Sequence, residues 1–138
     1  MINNTMYDNV FKAIENYLNL ANDFNPVVLN QPKGEQYPRV IVQMVTNSNI
    51  GRDFGGYSSF SNVGIEIDIY AKNMFSNGSQ FADIEVAYNI AEDVSFVCEE
   101  LFEMKRNMMQ PTPNIDNETY RLTLRYSSLQ DDKHSMFI

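Results

Sequence analysis

Between residues 63 and 72 the chain reads VGIEIDIYAK, in which Val63, Ile65, Ile67, Ile69 and Ala71 alternate with Glu66, Asp68, Tyr70 and Lys72. Side chains on a strand point to opposite faces in turn, so this period of two predicts a strand with one apolar and one polar face. The same period returns near the end of the chain. Tyr120, Leu122, Leu124 and Tyr126 fall on one side, and Arg121, Thr123 and Arg125 on the other. Ahead of that second run, Pro111, Pro113 and the Asn114, Asp116, Asn117 cluster predict a tight corner, because proline removes backbone donors and Asn/Asp side chains favour turns.

Two stretches follow the helical period instead. Tyr7, Val10, Phe11, Ile14, Tyr17, Leu18 and Ala21 form one stripe across residues 5–24, with Thr5 and Asp8 suited to its first turn and Asn25-Pro26 to its end. After a turn and cap expected at 77–79, a longer stripe runs through Phe81, Ile84, Ala87, Tyr88, Ala91, Val94, Ser95, Cys98, Leu101 and Phe102. Val86, Ile90 and Val97 widen it, which predicts a helix covered on more than one side. Arg39–Val45 and residues 104–110 supply two further short strands.

Residues 47–61, NSNIGRDFGGYSSFS, are rich in Gly, Ser and Asn without a regular period and read as a long loop between strands. Phe54, Tyr57 and Phe60 within it either anchor a partner or fold back over the base of the loop. The order helix, strand, loop, strand, helix, strand, strand predicts an α+β fold, a two-layer sandwich with an antiparallel-dominated four-stranded sheet against two helices. One domain spans 1–127, with the loop 47–61 protruding and 128–138 as a C-terminal tail. If the strands bearing Glu66 and Asp68 neighbour the one bearing Arg121 and Arg125, opposite charges meet across the ladder for about 0.2–1 kcal/mol per pair. If not, that polar face is open to a partner.

Composition narrows the functional classes. A content of 43% hydrophobic residues is enough for one core, and no apolar run approaches the roughly 20 residues that span a bilayer. The start MINNTMYDN lacks the basic and apolar parts of a signal peptide, so the expectation is a protein made in the cytoplasm, where the sequons at Asn3, Asn77 and Asn117 carry no sugar. A net charge of −8 opposes general nucleic-acid binding.

Candidate chemistry is sparse. The single histidine, His134, sits in a polar tail where no scaffold holds a catalytic base. Cys98, the single cysteine, lies on an apolar helical stripe and reads as core. Glu66 and Asp68 could hold a divalent cation with Lys72 nearby, as in a metal-dependent nuclease, but the spacing departs from the acidic-x-Lys close of such sites. GRDFGG at 51–56 lacks the Gly-Lys-Ser/Thr ending of a phosphate loop. The expectation is a non-enzymatic protein without metal or other cofactor.

Three segments carry a resemblance. IEIDIYAKN (65–73), FADIEVAYNIAEDV (81–94) and PTPNIDNETYRLTLRYS (111–127), with the corner P-x-P-N-I-D-x-x-x-Y-R-x-x-x-R-Y, resemble the tail terminator or tail completion proteins of long-tailed bacteriophages over roughly residues 36–127. Neck and head-tail joining proteins share that size and topology. The resemblance implies a virion protein that forms a hexameric ring on the tail tube, stops tube growth and docks the head connector, with DNA passing through its lumen unbound. A ring needs a heterologous contact that closes. On that basis Glu66 and Asp68 are expected to meet Arg121 and Arg125 partly between subunits, loop 47–61 to reach the tube, and Met136, Phe137 and Ile138 to dock on a neighbour. A monomeric adaptor binding through the aromatic loop is the alternative of another class.

Overall fold

The computed structural model describes residues 5–32, 34–52, 59–113, 118–131 and 136–137, with the backbone alone described at 5, 46–52, 59–61, 130–131 and 136–137. Its order is α1 (Thr5–Ala21), β1 (Val27–Leu29), β2 (Arg39–Arg52), β3 (Ser59–Ala71), β4 (Met74–Ser76), β5 (Ser79–Phe81), α2 (Asp83–Ser95), a π-helical turn (Phe96–Leu101), β6 (Lys105–Pro111), β7 (Tyr120–Asp131) and β8 (Met136–Phe137). The fold is α+β as predicted, with both helices on one face of the sheet.

The sheet is mixed and larger than four strands. Its order is β1-β2-β3-β7-β6, with β8 on β7 and β4-β5 as a separate pair. The added edge strand β1 runs parallel to β2 through Val27–Arg39 to Leu29–Ile41, while the other pairs are antiparallel. Three residues give no period that a sequence reading can detect; the parallel ladder on β2 makes this segment a strand.

Alternation on β3 and β7 sorts the faces as expected. Ile65, Ile67, Ile69, Leu122 and Leu124 are fully buried against Val10, Ile14 and Leu18 of α1 and Val86, Ile90 and Val94 of α2. α1 ends at Ala21, short of Asn25-Pro26, because Asn22 caps the exit with its side chain: Oδ1 accepts from Phe24 N at 2.9 Å, and Nδ2 donates to Asn89 and Asp93 of α2 at 2.9 and 2.8 Å. One buried amide thus closes α1 and ties it to α2.

Three local expectations are corrected. Residues 77–79 do not cap a helix: Asn77 and Gly78, at φ 51° and 81°, form the turn of the β4-β5 hairpin, and α2 starts later, at Asp83. Positive φ at both central residues is the geometry that Asn-Gly favours in two-residue hairpins. The buried stripe of α2 is narrower on one flank than expected: Val86, Ile90 and Val97 are fully buried, as their widening of the stripe predicts, but Ile84, Tyr88 and Leu101 are 50%, 38% and 55% exposed, so the stripe is turned toward the Val86–Ile90–Val97 flank. The wider π turn contributes, bringing Val97 and Cys98 inward and leaving Leu101 out. Finally, within the expected loop 47–61 the described residues 47–52 and 59–61 are ladder, β2 and β3 being paired from Arg39–Tyr70 out to Arg52–Ser59 across two register shifts, and 53–58 lie outside the described residues.

Candidate functional site

The face of the sheet opposite the helices is built from rows of paired residues. Arg39, Tyr70 and Arg121 form one row across β2, β3 and β7; Ile41, Asp68 and Thr123 the next; Gln43, Glu66 and Arg125 the third. Strands carrying Glu66/Asp68 and Arg121/Arg125 are therefore neighbours, and their charges pair within one chain. Arg125 Nε donates to Glu66 Oε1 at 2.8 Å, and Arg121 Nε donates to Asp68 Oδ1 at 3.0 Å. The latter bond raises the Arg121 pKa. The expected pairing across the ladder is thus present within one chain for all four residues.

The two pairs differ in burial. Arg125 and Glu66 are 54% and 16% exposed at the side chain, Arg121 and Asp68 26% and 5%. Asp68 also accepts from Thr123 Oγ1 at 2.5 Å, and Thr123 accepts in turn from Thr112 at 2.6 Å. Both carboxylates are engaged by arginine, and among the described residues no group of three or more His, Cys, Asp or Glu side chains converges as for a metal ion. Lys72, third member of the weighed nuclease set, lies 4.4 Å from the Tyr37 ring centroid.

A stack of cations and aromatic rings at the first row went unnoticed in the sequence. Arg39 Cζ lies 4.6 Å from the centroids of both Tyr37 and Tyr70, and Arg121 Cζ 5.5 Å from that of Tyr70. Such contacts contribute about 0.5–2 kcal/mol each, more when desolvated. Nε and Nη1 of Arg39 are buried with no hydrogen-bond partner. Hydrogen bonds with Thr119 and with Arg39, together with the Arg39 and Lys72 charges, hold the Tyr37 phenol below its ordinary pKa against the opposing effect of burial. No signal in the sequence marks it, because the pairing register that brings Arg39 opposite Tyr70 exists only in the folded sheet.

Only some of the remaining expected site residues are described. Phe54 and Tyr57 fall outside the described residues, as does Ile138; Phe60 belongs to β3 by its backbone. Met136 and Phe137 form β8 and pair with Asp131 and Gln130 of their own chain. The tail expected from 128 begins later, because β7 runs to Asp131 and pairs with Phe60. Beyond Ile41 no described strand pairs with the outer edge of β2.

On the helical side, the Tyr126 hydroxyl lies 2.8 Å from Glu99 Oε2 and 3.1 Å from Ser95 Oγ, and burial raises its pKa. Cys98 is buried as expected, and desolvation, with Glu99 adding, pushes its thiol up to about 12. Thiolate is the reactive form. Iodoacetamide at pH 8 is expected to leave Cys98 of the folded protein unmodified over the time in which urea-unfolded chain reacts fully; mass spectrometry reads both, and equal rates would show an open core at the π turn.

No protein family matches the chain, and no characterised protein matches it in sequence. Among the described residues no helix is long and apolar enough to cross a membrane. The fold and its open face therefore define an α+β sandwich with a paired-charge sheet face and an extended strand arm.

Proposed function

We propose that the chain is a structural protein of a long-tailed phage particle, one that closes into a ring, of six copies as the resemblance implies, at the head-proximal end of the tail tube. There it ends tube polymerisation and joins the tail to the head connector, with DNA passing through the lumen without specific contacts. The observation that carries this reading is the strand arm. Val63 of β3 pairs with Asn47, and the ladder continues from there to Arg52–Ser59, roughly 15 Å further at the usual rise per residue.

The outer edge of that arm suits partner binding. β6, the opposite edge of the sheet, carries the usual guards against strand addition in Lys105, Arg106, a register shift after Arg106 and Pro111. Along β2, QMVTNSNIGR from 43 to 52 has two register shifts but neither proline nor any charge before Arg52. Unpaired backbone of this kind takes a strand from another chain. The resemblance of residues 36–127 to tail terminators supports a phage tail as the assembly that uses it. The same edge suits a monomeric adaptor, and mass separates the two.

Electron microscopy of particles produced without this protein tests the proposal. Tails of uncontrolled length beside unattached, filled heads are expected, and purified protein is expected to restore normal joining. Tails of normal length carrying heads would overturn it.

A further inference from the structure

One segment of the helical layer is strongly acidic. From residue 73 to 104 the chain carries seven acids (Asp83, Glu85, Glu92, Asp93, Glu99, Glu100 and Glu103) and no Lys, Arg or His. Those residues form α2, the π turn and their flanks, while Arg39, Lys72, Arg121 and Arg125 lie on or beside the sheet strands. On the helical side, Glu92, Ser95, Phe96, Glu99 and Glu100 line a shallow depression of about 250 Å³. Phe96 is 41% exposed within it, and Leu101 beside it 55%. That surface is apolar at its centre and acidic at its rim.

The arginines of the sheet strands are mostly neutralised within the chain. Arg106, Arg121 and Arg125 each lie near a carboxylate of their own chain, at 3.9, 3.0 and 2.8 Å. Arg39 is in none of these ion pairs of the described residues; two tyrosine rings hold it, and its Nε and Nη1 stay without a hydrogen-bond partner. A desolvated cation without a counter-charge is costly, and each unmade buried hydrogen bond adds to that. The cost falls when a partner brings a carboxylate. Both donor atoms are closed from solvent in the single chain, so the carboxylate reaches them by displacing the half-buried Tyr37 ring from the connector ahead of β2.

We propose that the Tyr37–Arg39–Tyr70 stack is the docking site for the acidic helical surface of a second copy of this chain, with Glu92 and Glu100 supplying carboxylates to Arg39 and Phe96 meeting the tyrosine rings. This rests on the ring-forming reading and assigns its copy-to-copy contact. One surface meets a different surface on the next copy, so the contact is heterologous, the kind that generates rings when its rotation closes. The paired Glu66, Asp68, Arg121 and Arg125 stay inside each copy.

Sedimentation velocity and native mass spectrometry on the full chain test the contact. Wild-type chain is expected to associate, and to do so less as NaCl rises from about 50 to 500 mM, since salt screens exposed charge. Arg39→Glu, and separately Glu92→Lys with Glu100→Lys, should each weaken association by about tenfold or more, the range for reversed charges at an interface. The three changes together, or a mixture of the two single-sided variants, should recover most of the loss. Because Glu92 and Glu100 are exposed, their variant keeps its fold even where Arg39→Glu does not.

Rings that ignore all of these changes would overturn this contact and leave the ring reading standing. A chain that stays monomeric beside tail tubes and connectors would overturn both. Arg39-dependent stabilisation by inorganic phosphate, with association indifferent to Arg39, would assign the stack to a small anion and also overturn the proposal.

Discussion

Asp68→Ala is expected to lower the unfolding free energy by about 2–4 kcal/mol, read from urea denaturation with an unchanged slope, whereas Glu66→Ala costs under about 1 kcal/mol. The two carboxylates sit two residues apart on the same face of β3, and each meets an arginine across the β7 ladder. Distance does not separate them. Asp68 is 4% exposed, and three groups depend on it in sequence: Arg121 directly, Thr123 directly and Thr112 through Thr123. Removing its carboxylate strands the Thr123 hydroxyl and leaves Arg121 without its counter-charge. Breaking a buried pair from one side costs about 3–5 kcal/mol, and the 26% exposure of Arg121, which can turn to water, places the expectation lower.

At Glu66 the same deletion releases Arg125, already 54% exposed, into solvent. Little is lost. The contrast is a property of the rows: Asp68 lies in the middle one, between the Arg39–Tyr70–Arg121 and Gln43–Glu66–Arg125 rows, and on a helix-free face their side chains provide its cover. Equal costs at the two positions would show that water already reaches Asp68.

Much of this architecture was legible because period-two alternation survives folding. Ile65, Ile67, Ile69, Leu122 and Leu124 are core because a strand offers no other arrangement for them. The four charged residues of the outer face were also visible in the sequence, including the condition that they pair if their strands are neighbours. What stayed hidden depends on contacts distant in sequence. Residues 47–52 have the Asn, Gly and Ser content of a loop, yet pairing to β3 holds them in a ladder, since strand propensity yields to its partners. Arg39 looked like the ordinary start of a strand; its meaning comes from Tyr70, placed opposite by register, and from Tyr37, brought over it by the connector.

Ile90→Ala is expected to cost about 2–5 kcal/mol, while Ile84→Ala stays within about 1 kcal/mol of wild type in the same denaturation experiment. Both isoleucines belong to the apolar pattern of one helix, and the sequence gives more weight to Ile84, which fits the three-and-four spacing that starts at Phe81. The two readings of the stripe share Ala87, Ala91, Val94 and Cys98 and differ only in which flank turns inward. α1 decides between them, because Val10, Ile14 and Leu18 belong to the same buried cluster as Val86, Ile90 and Val97. Deleting a fully buried isoleucine leaves a cavity in that cluster, and deleting one that is half exposed removes contacts that water replaces. The functional consequence lies one turn further on, where the same rotation turns Phe96 outward between Glu92 and Glu100. Should Ile84→Ala prove as damaging as Ile90→Ala, α2 would be turned toward its other flank, and Phe96 would no longer face a second copy.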